Sequence, residues 1–178
     1  MRLVTDRLIL RPFEDRDRTP WAAMNADPEV RRFFPALMTR AEADAQIDRF
    51  EAARARDGIA FAAAERREDG AFLGMVGLNV LRLGTPLDGA VEIGWRLARA
   101  HWGQGYATEG AQAWRDHGFT ALRLPEIVAI VARGNLPSQA VMLRLEMAHD
   151  PARDFAHPAL PEGHPLAPHL TFAIRRPD

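Results

Sequence analysis

The chain has 178 residues, of which 47% are hydrophobic and 26% are charged, and its formal net charge at pH 7 is -1. These values fit one domain large enough to bury a core, and the near-neutral charge argues against a nucleic-acid-binding protein, which needs a strongly basic surface. The sequence contains neither cysteine nor lysine. Thiolate nucleophiles, cysteine-bound metals, Schiff bases and the lysine of a Walker A loop are therefore excluded.

Residues 1–6 contain no apolar stretch of signal-peptide length. The longest uninterrupted apolar runs cover residues 59–64 and 127–132, which is far too short to cross a bilayer. We therefore expect a cytoplasmic protein that does not act at a membrane.

The hydrophobic pattern predicts strands and helices distributed along the whole chain. Alternation or short apolar runs predict six strands, at residues 7–13, 59–64, 71–81, 91–97, 126–133 and 170–174. Helical spacing predicts four helices, at residues 15–27, 39–58, about 107–118 and after 138. Thr39 and Glu42 form a capping-box pattern, and Gly58 ends that helix. The expected packing positions of the last helix are Val141, Leu143 and Leu145. This order of elements predicts a single mixed α/β domain over residues 1–178.

The most informative segment joins the strand Val91–Leu97 to a helix through the turn Trp-Gly-Gln-Gly-Tyr at residues 102–106. Gly103 and Gly105 can adopt positive φ angles, so several main-chain N–H groups can converge there, and the helix adds its free N–H groups and positive dipole end. Such a turn can cradle a phosphate or diphosphate without a cationic side chain. The alternative is an ordinary tight turn. Glu109, in the first helical turn, is expected to complement the helix dipole.

A dinucleotide-binding fingerprint does not account for this turn. Its third small residue would fall on Thr108, and its acidic residue would be Glu126, which precedes a strand instead of ending one. The dinucleotide hypothesis fails at both positions.

Three segments of the chain carry a resemblance to a known family. Residues 102–107, Trp-Gly-Gln-Gly-Tyr-Ala, match the pattern Gln/Arg-x-x-Gly-x-Gly/Ala, with Trp102 in the Gln/Arg place. Gly134, Asn135 and Ser138 follow a predicted buried strand, and residues 5–11 read Thr-Asp-Arg-Leu-Ile-Leu-Arg. Together these segments resemble the GNAT superfamily of N-acetyltransferases, in the branch that includes the ribosomal-protein N-terminal acetyltransferases. The resemblance covers residues from about 2 to 147.

The resemblance implies a GNAT-like fold, in which helices flank a central, mostly antiparallel twisted sheet that contains one splayed pair of parallel strands. It also implies acetyl-CoA as cofactor, with the pantetheine arm in the splayed gap, and no metal. The residues implied in binding are Trp95, Arg96 and Leu97 for the pantetheine, Gly103, Gln104, Gly105, Tyr106, Ala107 and Thr108 for the diphosphate, and Asn135 on the other side of the arm.

Acetyl transfer requires a neutral amine, a polarised acetyl carbonyl and a proton for the departing thiolate. An α-amino group, with a pKa near ~8, is easier to neutralise than a lysine-type amine near ~10.4. Glu92 is the candidate base by resemblance, and alternation places it on one strand face with Gly94 and Arg96. A solvent-facing glutamate is the open alternative. A main-chain N–H near Trp95 is the candidate for polarising the carbonyl.

The proton donor to the thiolate is harder to assign, because the only tyrosine, Tyr106, lies at the cradle. Ser138 is the candidate, by resemblance to relatives that use a serine there. A capping or cofactor-contacting role for Ser138, and water as the proton source, stay open.

Residues 149–169 differ in character, because they carry four of the six histidines and five of the thirteen prolines. Their spacing matches no metal-binding motif, so we expect a surface segment rather than a metal site. A third possibility is that the segment covers the acceptor pocket.

The sequence thus predicts an acetyl-CoA-dependent N-acetyltransferase that acts by direct transfer, since no cysteine is available for an acyl-enzyme. The acceptor would be a primary amine, either a protein N-terminus or a small molecule. We expect no nucleic-acid or membrane partner, and the family resemblance is compatible with a homodimer. The alternative from another class is a non-catalytic acyl-CoA-binding sensor or interaction module.

Overall fold

The computed structural model describes residues 1–177, and nine strands within them form one sheet. The strands are β1 (Leu3–Val4), β2 (Leu8–Arg11), β3 (Phe61–Arg66), β4 (Phe72–Val80), β5 (Val91–Leu97), β6 (Glu126–Ala132), β7 (Ala148–His149), β8 (Phe155–Ala156) and β9 (Pro168–Arg175). Their order is β1-β2-β3-β4-β5-β6-β9-β7, and β8 also pairs with β9.

Five α-helices connect the strands: α1 (Arg18–Asn25), α2 (Pro28–Arg31), α3 (Arg40–Asp57), α4 (Tyr106–Thr120) and α5 (Leu136–Arg144). Among residues 1–177, no helix combines the length and the apolarity needed to span a bilayer. The expected mixed α/β fold with a mostly antiparallel sheet is confirmed.

The sheet buries a separate hydrophobic cluster on each face. On one face, Trp114 of α4 is fully buried among side chains of the central strands, including Ile93 and Ile127. On the other face, Trp21 of α1 and Phe50 of α3 pack edge to face with ring centroids 6.0 Å apart. The central strands are therefore covered on both sides, which explains why β6 reads as an uninterrupted apolar run.

Helix α3 shows how the sequence fixes local structure. The Thr39 main-chain N–H donates to Glu42 Oε2 at 2.7 Å, and Glu42 N–H donates to Thr39 Oγ1 at 3.3 Å. At the other end, Gly58 has φ 76° and its N–H donates to the carbonyl of Arg54. The predicted capping box and glycine stop are confirmed, because both depend only on neighbouring residues.

Two local predictions need correction. The helix expected over residues 15–27 consists of a 3₁₀ turn at Asp15–Asp17 followed by α1, and the separate helix α2 begins after it. Leu143 was expected to pack, but it is 64% exposed. Leu145, just after α5, is buried as expected, but Met142 and not Leu143 is the buried residue before it, because the helical period places Leu143 outside the buried face.

Strands β5 and β6 are the only parallel neighbours in the sheet over residues 1–177, and they pair at a single position, Glu92 opposite Val128. Every other neighbouring pair is antiparallel. After Glu92 the two strands diverge. The expected splayed parallel pair is therefore present, and it leaves a gap in the middle of the sheet.

Candidate active site

The gap between β5 and β6 opens into a large cavity on the side of α4. This first cavity has a volume of about 970 Å³ and is lined by the turn before α4, the start of α5 and the end of β5. Of the residues that sequence resemblance implies in cofactor binding, it brings together Trp95, Arg96, Leu97, Gly103, Gly105, Tyr106, Ala107, Thr108 and Asn135. Gln104 does not line it, because its side chain turns back to donate to the carbonyl of Ala100 at 3.0 Å.

The turn before α4 presents unused main-chain donors to this cavity. Gly103 has φ 72° and Gly105 has φ 82°, so both occupy the left-handed region that favours glycine. Within residues 1–177, the main-chain N–H groups of residues 103–108 donate no hydrogen bond to any protein atom. Helix α4 begins at Tyr106, so its positive dipole end lies at the same place. Such a cradle fits a diphosphate, which needs several converging N–H donors.

An N-terminal arginine holds this cradle in place, and sequence reasoning missed it. Arg7 Nη1 donates to the carbonyl of Gln104 at 2.9 Å, and its Nε donates to Glu109 Oε2 at 2.6 Å. The Arg7 guanidinium also lies 4.6 Å from the centre of the Tyr106 ring. Glu109, expected only to complement the helix dipole, therefore ties the start of α4 to the first strands. The cradle also has a cation beside it, although the sequence suggested that none was needed.

Strand alternation decides which main-chain groups of β5 face the gap. The N–H of Ala98 donates to the carbonyl of Leu73, and β4 pairs with β5 in steady antiparallel register from there. Alternate residues therefore direct both main-chain groups to β4, and Arg96 is one of them. Trp95 and Leu97 point their groups the other way, into the gap. The structure does not support the expected main-chain role of Arg96, and the Leu97 carbonyl already accepts from Trp102 Nε1 at 2.8 Å.

Asn135 and Ser138 lie at the start of α5, on the opposite wall of the gap. Asn135 is the N-cap of the helix, and its Oδ1 accepts from the Ser138 main-chain N–H at 3.2 Å. The capping role that was considered for Ser138 thus belongs to Asn135. Within residues 1–177, the Ser138 hydroxyl makes no hydrogen bond, and the residue lines both this cavity and a second one.

The second cavity adjoins the first and has a volume of about 410 Å³. Glu92 lies in its wall, so the alternative of a glutamate on the open surface does not hold. Its Oε1 accepts from Asn79 Nδ2 at 3.1 Å. Burial raises the pKa of Glu92 to about 7, although the hydrogen bond from Asn79 opposes the shift. Glu92 is half-buried, because it lies in the sheet and lines the cavity.

The parity expected for β5 is confirmed. Ile93 and Leu97 belong to the cluster on the α4 face, whereas the Arg96 side chain reaches Asn25 on the opposite face. The side chains of Glu92 and Arg96 therefore share one face, which is the face of the second cavity.

The histidine-rich segment contributes to the same cavity. His157, Leu160 and His169 line it, and the rings of His157 and His169 lie 4.9 Å apart. His149 instead bonds Asp154 at 3.0 Å. Within residues 1–177, no three side chains of the metal-binding types converge on one point. Of the possibilities considered for residues 149–169, the placement favours a cover over the second cavity.

The amino-acid sequence matches a known family and a bacterial protein. Residues 7–148 match the family model described as an acetyltransferase (GNAT) domain. The chain is 32% identical over 147 residues to the uncharacterized protein YkkB of Bacillus subtilis, an alignment that covers 82% of this chain and 84% of YkkB.

Solved structures give the same result for the fold. An acetyltransferase from Agrobacterium tumefaciens superposes with a TM-score of 0.80 at 28% identity, covering 99% of this chain and 95% of that one. RimJ of Mycobacterium smegmatis, solved with a CoA disulfide, superposes with a TM-score of 0.73 at 24% identity, covering 94% and 81%. The likeness to RimJ shows a shared fold. The match over residues 7–148 decides the family: the chain belongs to the GNAT acetyltransferases and is an acyltransferase.

Proposed function

We propose that this chain transfers an acetyl group from acetyl-CoA directly to a primary amine, with Glu92 as the general base. The observation that carries the proposal is the position of Glu92. It occupies the point where β5 and β6 separate, and the partnerless N–H groups of residues 103–108 lie at the wide end of the same gap.

The residues of the first cavity fit a CoA thioester. The N–H groups of residues 103–108 would bind the diphosphate. The main-chain groups of Trp95 and the N–H of Leu97, which face the gap, would bind the pantetheine, since the Leu97 carbonyl already accepts from Trp102. Asn135 Nδ2 donates to no atom of residues 1–177, so it is free to bind the arm from the other side. When bound, acetyl-CoA supplies an acetyl group that is activated as a thioester.

The pKa of Glu92 suits a general base that acts near neutral pH. With a pKa of about 7, roughly half of its carboxyl groups are ionised at neutral pH, and the others have already taken up a proton. As the bond between the amine nitrogen and the acetyl carbon forms, the carbon–sulfur bond breaks. One proton of the neutral amine passes to Glu92, directly or through a water, and the departing sulfur takes up one proton from the Ser138 hydroxyl. Return of the Glu92 proton to Ser138 through water leaves one proton moved in total, from the amine to the thiol. A main-chain N–H near Trp95 would polarise the acetyl carbonyl.

Ser138 is the group we assign to protonate the sulfur. Its hydroxyl is uncommitted and lines the junction of the two cavities. The chain has no cysteine, so an acyl-cysteine route is closed and direct transfer remains. The acceptor at this level is a primary amine, either of a protein N-terminus or of a small molecule.

The experiment pairs binding with turnover. Acetyl-CoA should raise the thermal midpoint of the protein, and CoA release should be measured with amino acids, peptides, polyamines and aminoglycosides as acceptors. Glu92→Gln should keep the midpoint shift and lose most of its turnover, whereas Glu68→Gln, in an exposed turn, should keep both. A raised midpoint without turnover of any amine would favour the alternative, a non-catalytic acyl-CoA-binding module. If acetyl-CoA does not raise the midpoint, the proposal is overturned.

A further inference from the structure

Arg96 is a cation inside the second cavity without a carboxylate partner. Its Nη1 donates to Asn25 Oδ1 at 2.7 Å and to Gln46 Oε1 at 3.3 Å, and both acceptors are neutral amides. Within residues 1–177, no aspartate or glutamate oxygen lies within ion-pair distance of its guanidinium. Arg11, which is buried, bonds two carboxylates, Asp17 and Glu65. Arg96 is half-buried and its Nε is sealed from solvent, so a charge without an ion pair calls for an explanation there.

A second arginine lies close to the first. The guanidinium carbons of Arg31 and Arg96 lie 4.4 Å and 4.2 Å from the centre of the same ring, that of Phe34. Arg31 also forms no ion pair within residues 1–177; its Nε donates to the carbonyl of Ala36. Burial and the charge of Arg31 lower the pKa of Arg96 to about 9, and burial lowers that of Arg31. Two like charges thus line one cavity, and neither is paired with a carboxylate within residues 1–177, although the charge of Glu42 partly offsets that of Arg31.

Within residues 1–177, only Nη1 of the Arg96 guanidinium donates hydrogen bonds. Its Nε is sealed from solvent and has no partner, and its Nη2 has no partner in residues 1–177 but is not sealed. Nη2 is therefore the donor of Arg96 that a ligand in the cavity can reach, and a guanidinium N–H binds a carboxylate oxygen strongly. A ligand carboxylate reaching Nη2 would satisfy an open donor and offset one of the two positive charges.

Arg96 lines the same cavity as Glu92, the proposed general base. Glu92 and Arg96 are four residues apart on β5 and share one face, so their Cα atoms lie about 13 Å apart along the strand. Both line the second cavity, whose volume of about 410 Å³ suits a small molecule. Leu160 and His157 of the histidine-rich segment also line it.

We propose that the acceptor is a small primary amine that carries a carboxylate, with its carboxylate bound by Arg96 and Arg31 and its amine directed to Glu92. The proposal rests on the function proposed above and narrows its acceptor class. A protein N-terminus without a nearby carboxylate would leave both guanidinium groups unpaired and is therefore disfavoured.

The test compares matched amines that carry either a carboxylate or a neutral carboxamide. Glycine, β-alanine, γ-aminobutyrate and ε-aminohexanoate are each compared with their carboxamides, by calorimetric titration into the protein saturated with CoA and by kcat/KM with acetyl-CoA. Phosphoethanolamine tests a phosphate in place of the carboxylate. At least one carboxylate should bind about tenfold more tightly than its carboxamide, the effect of one charge-assisted hydrogen bond.

Variants then assign the preference to the two arginines. Arg96→Gln should abolish the discrimination between carboxylate and carboxamide, and Arg31→Gln should reduce it. The second variant covers the case in which loss of Arg96 disturbs folding, because Arg31 lies nearer the surface. Arg49→Gln, on the exposed side of α3 and without an ion pair, should leave the discrimination unchanged.

The outcomes separate this proposal from the function it rests on. Turnover of uncharged amines or peptide N-termini at rates equal to the amino carboxylates would overturn the acceptor class and leave acetyl transfer intact. A preference for phosphoethanolamine would overturn the carboxylate assignment, as would equal affinity for carboxylates and carboxamides. If acetyl-CoA fails to bind, the proposed function falls, and the calorimetric comparison without CoA still decides whether the cavity selects a carboxylate.

Discussion

Arg7 and Glu109 are 102 residues apart in the sequence and meet beside the cradle, where Arg7 Nε donates to Glu109 Oε2 at 2.6 Å and the Arg7 main-chain N–H donates to Oε1 at 2.9 Å. Thr5 Oγ1 donates to the same carboxylate. Burial alone would raise the pKa of Glu109, but the hydrogen bonds from Thr5 and Arg7 outweigh it and hold the pKa below its usual value. The first strands are thereby fastened to the start of α4.

Loss of the hydrogen bonds to Glu109 should weaken CoA binding and leave the rate of acetyl transfer nearly unchanged. Glu109→Gln keeps the shape of the side chain and loses the charge-assisted hydrogen bonds, so we expect the Kd for CoA to rise about tenfold. Titration calorimetry measures the change. The kcat at saturating acetyl-CoA should stay within a small factor of the wild-type value, because Glu109 does not reach the second cavity. A loss of kcat at unchanged Kd would contradict a positioning role.

The glycine at the start of α4 offers a sharper test of the cradle. In Gly105→Ala, a side chain is forced into φ 82° and its Cβ lies 3.4 Å from Arg7 Nη2, so we expect a loss of about 1 kcal/mol in the free energy of unfolding and a weaker affinity for CoA. Gly70→Ala is the matched control, because Gly70 has φ 72° in a turn with open space around it. It should lose similar stability and keep its affinity. Equal affinity in both variants would argue against main-chain binding at residues 103–108.

The pH dependence of turnover should report Glu92. With a pKa of about 7, the ionised base becomes more abundant as pH rises, and kcat/KM should increase through that region. The amine acceptor adds its own rise at higher pH. In Glu92→Gln, the rise of kcat/KM near pH 7 should disappear, and the rise at higher pH that comes from the amine should remain. The variant should also lower kcat by a factor of about 100 or more. If the variant keeps the rise of kcat/KM near pH 7, that rise belongs to another group.

The same residue should make the protein less stable at high pH. The folded pKa is raised from 4.5 to about 7, so the folded state holds a proton that the unfolded state has lost, and stability falls as pH rises through this window. Glu92→Gln removes the penalty and can still accept from Asn79. We expect the variant to be more stable by up to about 3 kcal/mol at pH 8 and to show little difference at pH 4. Urea unfolding at the two pH values measures this, and a variant less stable than wild type at pH 8 would contradict the burial argument.

Much of the fold could be predicted because its signals are local. The capping box at Thr39, the stop at Gly58 and the apolar run of β6 each depend on neighbouring residues. The short strands β1, β7 and β8 were missed, because two residues carry no periodicity and these strands exist only through pairing with β2 or β9.

Some residues of the candidate site could be predicted from the sequence, and others could not. The glycine turn and the parity of β5 follow from sequence spacing, and the structure brings the cradle, Asn135 and Ser138 to one cavity as the motifs implied. Arg7, Arg31 and the side chain of Arg96 could not be assigned, because their partners lie far away in the sequence. The available signal for Arg96 was its shared face with Glu92, which indicated a common cavity but not the absence of a carboxylate partner.

A crystal structure of the protein with CoA tests main-chain binding of the diphosphate most directly. The diphosphate oxygens should accept hydrogen bonds from the main-chain N–H groups of residues 103–108, with the thiol end in the gap between β5 and β6 near Glu92. A diphosphate bound elsewhere, or a turn whose N–H groups point into the protein, would contradict it.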